Sequence, residues 1–272
     1  MKNKILNEED MLDLMRERSK TRLQAWREIL EYIEEDEIVV KQKKCVERAV
    51  KRAEKKLIEK CIILPEGPNK ENILLDTVPG LSTSIDNASM ELVYDCLDKK
   101  DWDAFEKIVL LNGYAMQMVF DYMFNVIPDD RKYRLTVEAY SWGGAVKKGV
   151  QNAVKKLPEL GKPELPEEFE ETVTIYRGCN GDADKAAESF SWTTNLEVAK
   201  FFGRMHENTC GQEAHIYCGK IRKDDIAAYI SELGQSEVIQ LGKVYDVVEI
   251  DSGVSAGVRS QPSDLHSDDS SG

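Results

Sequence analysis

The chain has 272 residues, of which 42 % are hydrophobic, and carries 50 acidic against 37 basic side chains for a net charge of −13. That much apolar sequence supports a sizeable core and excludes wholesale disorder. An acidic surface gives no general attraction for phosphate backbones or anionic lipid, although a local basic groove remains compatible with it.

The opening MKNKILNEEDMLDLM lacks the apolar stretch of a signal peptide, and no run is long enough to cross a bilayer, so a cytoplasmic protein with no membrane role is expected. Leu12, Met15, Leu23, Trp26, Ile29, Leu30 and Ile33 then recur at helical spacing. Val46, Ala49, Val50, Ala53, Leu57 and Cys61 repeat the pattern. The acidic run Glu34–Glu37 lies between them, so the two stretches form either a helical hairpin or one long bent helix. PEGPNKEN, from Pro65, breaks the pattern and marks a boundary. The organisation that follows is a helical extension over 1–72, a second domain over 73–252 and a disordered acidic tail over 253–272. The charged extension suits packing by a partner helix, including a neutralising partner, and suits a solvated scaffold equally.

Shorter helices follow from about Ile85. Asp101-Trp102-Asp103-Ala104 reads as a capped helix start, Asn112-Gly113 as its end, and Ile127-Pro128-Asp129-Asp130 as the next break. A further helical stretch over 133–156 is weakened by Gly143-Gly144, and Pro158, Pro163 and Pro166 form a connector. After Glu171 the pattern turns to strands, over 172–176, 214–218, 237–240 and 244–250, with one clear helix from Asn195 to about Met205. The expected class is α+β.

Six cysteines lie far apart without a CxxC pair, so reduced thiols are expected and neither a zinc site nor a disulfide framework. Chemistry concentrates instead in three strand-associated pieces. In Ile175-Tyr176-Arg177-Gly178, the arginine is either a structural ion pair or a phosphate clamp, because its planar fork matches phosphate oxygens. The glycine beside it would admit a ligand close to the backbone. In Ser189-Phe190-Ser191-Trp192-Thr193-Thr194, Ser191 is a helix cap or, since Thr194 and Asn195 can cap equally well, a hydroxyl that orients a carboxylate. Trp192, Phe201 and Phe202 are core residues or ligand walls. In Gln235-Ser236-Glu237, the glutamate is a solvated strand edge or, with Gln235 on the same face by the period of two, one of a pair aimed into a cleft.

In this order the three pieces resemble the R-S-E class of mono-ADP-ribosyltransferases, the cholera-toxin-like and clostridial-exoenzyme-like group. Its YRG strand corresponds to Tyr176-Arg177-Gly178, its Ser-Thr-Ser-like element to Ser191-Trp192-Thr193, and its Gln-x-Glu motif to Gln235-Ser236-Glu237. Its helix alanine, eight positions after the first serine, corresponds to Ala199. The middle motif departs from the pattern at Trp192 and Thr193. The resemblance spans about residues 85–250, with Ala139-Tyr140-Ser141 and Asn152 similar to the family's helical lobe.

The resemblance implies a fold of helices packed on two small antiparallel sheets around an NAD cleft. NAD is the co-substrate, no metal is needed, and nicotinamide is released. Arg177 holds the phosphates, Ser191 fixes Glu237, and Glu237 steadies the oxocarbenium-like cation. Tyr176, Gly178, Trp192, Thr193, Phe201 and Phe202 line the NAD site, and Gln235 and Tyr229 face the acceptor. A glutamine at position 235 points away from arginine as acceptor, toward a protein amide or a nucleic-acid base. The family association is with bacterial or phage toxins and effectors. Two alternatives remain: an NAD glycohydrolase on the same fold, in which water replaces the acceptor, and a non-enzymatic helical interaction protein.

Overall fold

The computed structural model describes residues 21–59, 70, 73–75, 78, 80–231 and 236–250. The boundary expected near Pro65, the tail and Gln235 lie outside the described residues.

The N-terminal stretches are two helices, α1 (Arg22–Tyr32) and α2 (Glu37–Glu59). Thr21 opens α1 through a capping box: its hydroxyl accepts from Gln24 N–H at 3.1 Å, and the Gln24 side chain accepts from Thr21 N–H at 2.9 Å. The acidic run separates the helices because Asp36 accepts from the N–H of Val39 at 2.9 Å and so caps α2. Asp36 also meets Lys99, which holds its carboxyl below the usual range. Leu23, Trp26 and Ile29 of α1, with Val46, Ala53 and Leu57 of α2, share one core with the helices that follow.

Those helices are α3 (Leu81–Lys99), α4 (Trp102–Leu111) and α5 (Gly113–Met118), a π-turn over Val119–Met123, α6 (Asp129–Ser141), α7 (Lys148–Val154) and α8 (Leu157–Leu160). Asp101 caps α4 through Ala104 N–H at 3.2 Å, an arrangement worth about 1 kcal/mol. Asn112 ends α4 and caps α5, accepting from Tyr114 and Ala115 N–H. Buried Glu106 receives Arg131 at 3.1 Å and also Arg134, tying α6 to α4. The breaks expected at Asn112-Gly113 and at Pro128 are present, and the stretch expected over 133–156, weakened at Gly143-Gly144, is split there into α6 and α7.

The C-terminal part is β1 (Thr172–Cys179), α9 (Ala183–Ala187), β2 (Ser191–Thr193), α10 (Leu196–Cys210), β3 (His215–Arg222), β4 (Ile226–Ile230), β5 (Glu237–Gln240) and β6 (Tyr245–Ile250). All strand pairs are antiparallel, in the order β4-β5-β2-β1-β3-β6. The class is α+β, with one open six-stranded sheet where two small sheets are expected. The difference is local: β1 and β2 share the single pair Tyr176↔Thr193, so two three-stranded halves join through one narrow bridge. Ala227, Ala228, Ile230 and Ile239 join the helical core, whereas Val173, Ile175, Trp192, Tyr217 and Val238 form a second one. The two cores do not follow the division into halves, since Trp192 of β2 and Val238 of β5 pack with residues of the other half. Tyr133 of α6 bonds the Ala227 carbonyl at 2.9 Å and anchors the helical part to β4.

Among the described residues, no helix is long and apolar enough to cross a membrane.

Candidate functional site

A cleft of about 450 Å³ opens where the sheet is pinched, within the usual range for small-ligand sites. Its floor comes from β1, β2 and the first residue of β5. Its walls are α10 and the corner that ends α6.

Strand register explains how distant residues meet. Thr193 pairs with Tyr176 on one side and Glu237 on the other. Ser191, two residues before Thr193, shares its face and stands diagonal to Glu237 across the ladder, within reach of a side chain. The Ser191 hydroxyl donates to Glu237 Oε1 at 2.5 Å, a short charge-assisted bond. The Ser191 carbonyl accepts from Arg177 Nη1. One residue therefore holds a carboxylate with its side chain and a guanidinium with its backbone.

Arg177 Nε is buried without a hydrogen-bond partner. A buried charged donor left unsatisfied is costly, so the position suits an anionic oxygen brought by a ligand. The apolar walls, from Trp142, Trp192, Val198 and Phe202, suit a flat ring. Together these features fit a dinucleotide with a charged diphosphate and an aromatic base.

Electrostatics mark two further residues. Tyr140 is buried beside the cleft, and burial together with the nearby Glu237 charge pushes its phenol up to about 12 against the opposing pull of Arg177. It therefore stays a hydroxyl donor at neutral pH. His206 of α10 lines the same cleft, and burial and then the Arg177 charge lower it from its usual value. No group of histidines, cysteines and carboxylates able to hold a metal occurs among the described residues.

Of the residues singled out in the sequence, Tyr176, Arg177, Gly178, Ser191, Trp192, Thr193, Phe202 and Glu237 line this one cleft. Several do so with a structural task as well. The missing side chain of Gly178 is required by α10, since a Cβ there would stand 2.0 Å from the Ala199 carbonyl oxygen and 2.6 Å from Gly203 N. The close backbone approach expected of a ligand is thus made by a helix. Trp192 is 2 % exposed and donates to the Ser189 carbonyl at 3.1 Å. Thr193 accepts from Asn195 N–H at 3.1 Å, and Asn195 caps α10, leaving Ser191 to Glu237.

Two residues fall elsewhere. Phe201 is not in the cleft lining; it is buried with Val198 and packs edge-to-face on Phe202, because neighbouring helical residues point about 100° apart. Tyr229 is also outside the lining and packs edge-to-face on Phe169 in the second core. Gln235 is not among the described residues. The face expected to be shared by Gln235 and Glu237 therefore lies outside the described residues too; Ser236, next to β5, has φ of 45°.

Tyr140 and Ser141, named in the sequence only for their similarity to a helical lobe, form with Trp142 the wall at the end of α6; the sequence assigns none of these three, nor His206, a place at the site. Gly143, with φ of 92°, is the signal that could have found the first three, since it turns the chain sharply just after them. His206 lies seven positions after Ala199 on α10, two turns along the same helical face. Comparison with protein-family models, with curated proteins and with solved structures finds no match.

Proposed function

We propose that the chain is a mono-ADP-ribosyltransferase that cleaves the nicotinamide–ribose bond of NAD and passes ADP-ribose to a macromolecule. The observation that supports this best is the joint at Ser191, whose hydroxyl holds Glu237 and whose carbonyl holds Arg177 at one cleft. Breaking the glycosidic bond needs no strong base. It needs a held diphosphate and fixed negative charge near a cationic ribose.

In this reading Arg177 binds the diphosphate through its fork, and Trp142, Trp192 and Phe202 wall the nicotinamide. Glu237, set in one orientation by Ser191, accepts from a ribose hydroxyl and stabilises the developing cation. The C1′–N bond breaks, and its electron pair leaves with neutral nicotinamide. The acceptor's lone pair then forms the new bond to C1′, and its proton passes to Glu237 or to water. Charge fixed before the reaction starts requires no reorganisation during it.

The sequence motif favours a protein side chain other than arginine, or a nucleic-acid base, as acceptor. On this reading the fold is of the ADP-ribosyltransferase type, the protein acts in the cytoplasm as a toxin or effector of bacterial or phage kind, and its N-terminal helices offer a surface to a neutralising partner.

The experiment is incubation of the purified chain and a cell lysate with NAD labelled on the adenine ribose. Label on protein or RNA supports transfer. Label only in free ADP-ribose makes the chain a glycohydrolase, and intact NAD refutes both.

A further inference from the structure

Helix α2 differs in charge from the rest of the molecule. Between Lys41 and Lys56 it carries eight basic and two acidic side chains, in a chain whose net charge is −13. Its buried residues, Val39, Gln42, Val46, Ala53 and Leu57, fall on one side of the helix. At about 100° per residue, Lys41, Lys44, Arg48, Lys51, Arg52 and Lys55 fall on the opposite side, and all six are exposed. Glu47 and Glu54 are turned to the flank, so no carboxylate interrupts the row. Lys55 pairs with Glu59 at 3.8 Å; Lys41, Lys44, Arg48, Lys51 and Arg52 form no ion pair among the described residues.

Such a row works against the helix. Neighbours three or four residues apart carry like charge at Lys41/Lys44, Lys44/Arg48, Arg48/Arg52 and Lys51/Lys55, and these repel. A merely solvated face is better made with glutamates interleaved, as an acidic chain could readily supply.

We infer that the outer face of α2 is a docking surface for the phosphate backbone of a nucleic acid. From Lys41 to Lys55 the row runs about 21 Å at 1.5 Å per residue, a narrow cationic line that suits a linear polyanion. Charge complementarity selects the occupant. A protein partner needs an apolar centre to its interface, whereas the row holds only half-buried Cys45 along its length, with exposed Ile58 beyond its C-terminal end. A lipid surface is held stably when apolar groups enter it, and the apolar face of α2 is already buried in the protein. This surface does not depend on the NAD reading, and it singles out nucleic acid among the macromolecules the chain could meet.

The experiment titrates the full chain against fluorescein-labelled single-stranded RNA and duplex DNA, each of about 20 nucleotides or base pairs, followed by anisotropy. Binding at about 50 mM salt should weaken at least tenfold by about 200 mM, since four or so neutralised phosphates give a log–log slope near −3. Lys44→Gln, Arg48→Gln and Arg52→Gln together should weaken binding at least tenfold at about 50 mM salt and flatten the slope by about 2. Lys41→Arg with Lys44→Arg, which keeps the charge, should bind as the unaltered chain does. So should a control with Lys155→Gln, Lys156→Gln and Lys162→Gln, three exposed lysines outside α2. Unchanged helical circular dichroism certifies the fold. Nicotinamide release by the α2 variant in the absence of nucleic acid should be unaltered, which keeps this test apart from that of the cleft. Failure to bind either probe at about 50 mM salt, equal losses in the control, or binding only to phosphatidylserine vesicles would overturn the inference.

Discussion

Ser191 and Glu237, forty-six positions apart, stand diagonally across two neighbouring strands and are joined by a 2.5 Å hydrogen bond from hydroxyl to carboxylate. The relationship depends on register, since a shift of one residue would turn one of the pair to the opposite face.

Removal of that bond is the first prediction. Ser191→Ala leaves the backbone carbonyl that holds Arg177 but frees the Glu237 rotamer. Nicotinamide release should fall about 10- to 100-fold, with NAD affinity changed much less, because misplacing a catalytic group costs rate more than binding. Single-turnover kinetics beside a binding titration will separate the two.

Arg177→Lys should act in the opposite sense. Lysine keeps the charge but loses the planar fork and the buried Nε donor. Half-saturation by NAD should rise about tenfold or more, corresponding to about 1.4 kcal/mol. Isothermal calorimetry with ADP-ribose reports the same loss without turnover.

Gly178→Ala tests the packing of α10. The added methyl would meet the Ala199 carbonyl and the backbone of Gly203 at distances no Cβ tolerates, so helix and strand must separate. The expected destabilisation is about 1–3 kcal/mol, or about 2–4 °C in Tm for each kcal/mol in a chain of this size. Differential scanning calorimetry measures it directly.

Acid stability should report His206. Its folded value lies below the ordinary 6.5, so between those two values the unfolded chain binds the proton more readily. The contribution of His206 to stability is thus complete above 6.5 and is lost as pH falls below it toward the folded value. His206→Gln should lose less stability than the unaltered chain between about pH 7 and about pH 5, as judged by urea unfolding at each pH.

How much of this was legible in the sequence varies by residue. Arg177, Ser191 and Glu237 each have an ordinary structural role open to them, and it is their order along the chain, which resembles the R-S-E class, that singles them out; all three line one cleft. β4 escaped notice because Ile226–Ile230 holds two alanines and follows Asp224-Asp225, which reads as a turn. Helix α9, only five residues long, has no period to detect. The Tyr140–Trp142 wall straddles the end of α6, with Tyr140 and Ser141 in its last turn and Trp142 at its C-cap, so the helical period alone does not aim it at the cleft. Phe201 and Tyr229 lie outside the cleft lining because helix and strand faces are set by the elements packed on them, here Phe202 and Phe169.

The central claim is that Glu237 supplies the fixed charge for glycosidic cleavage. Glu237→Gln keeps the size of the side chain and an acceptor for Ser191 but removes the charge. Measured by nicotinamide release from saturating NAD, with binding confirmed through quenching of the cleft tryptophans Trp142 and Trp192, the variant should fall by about 10²- to 10³-fold. Turnover within about twofold of the unaltered chain, at equal binding, would contradict the account.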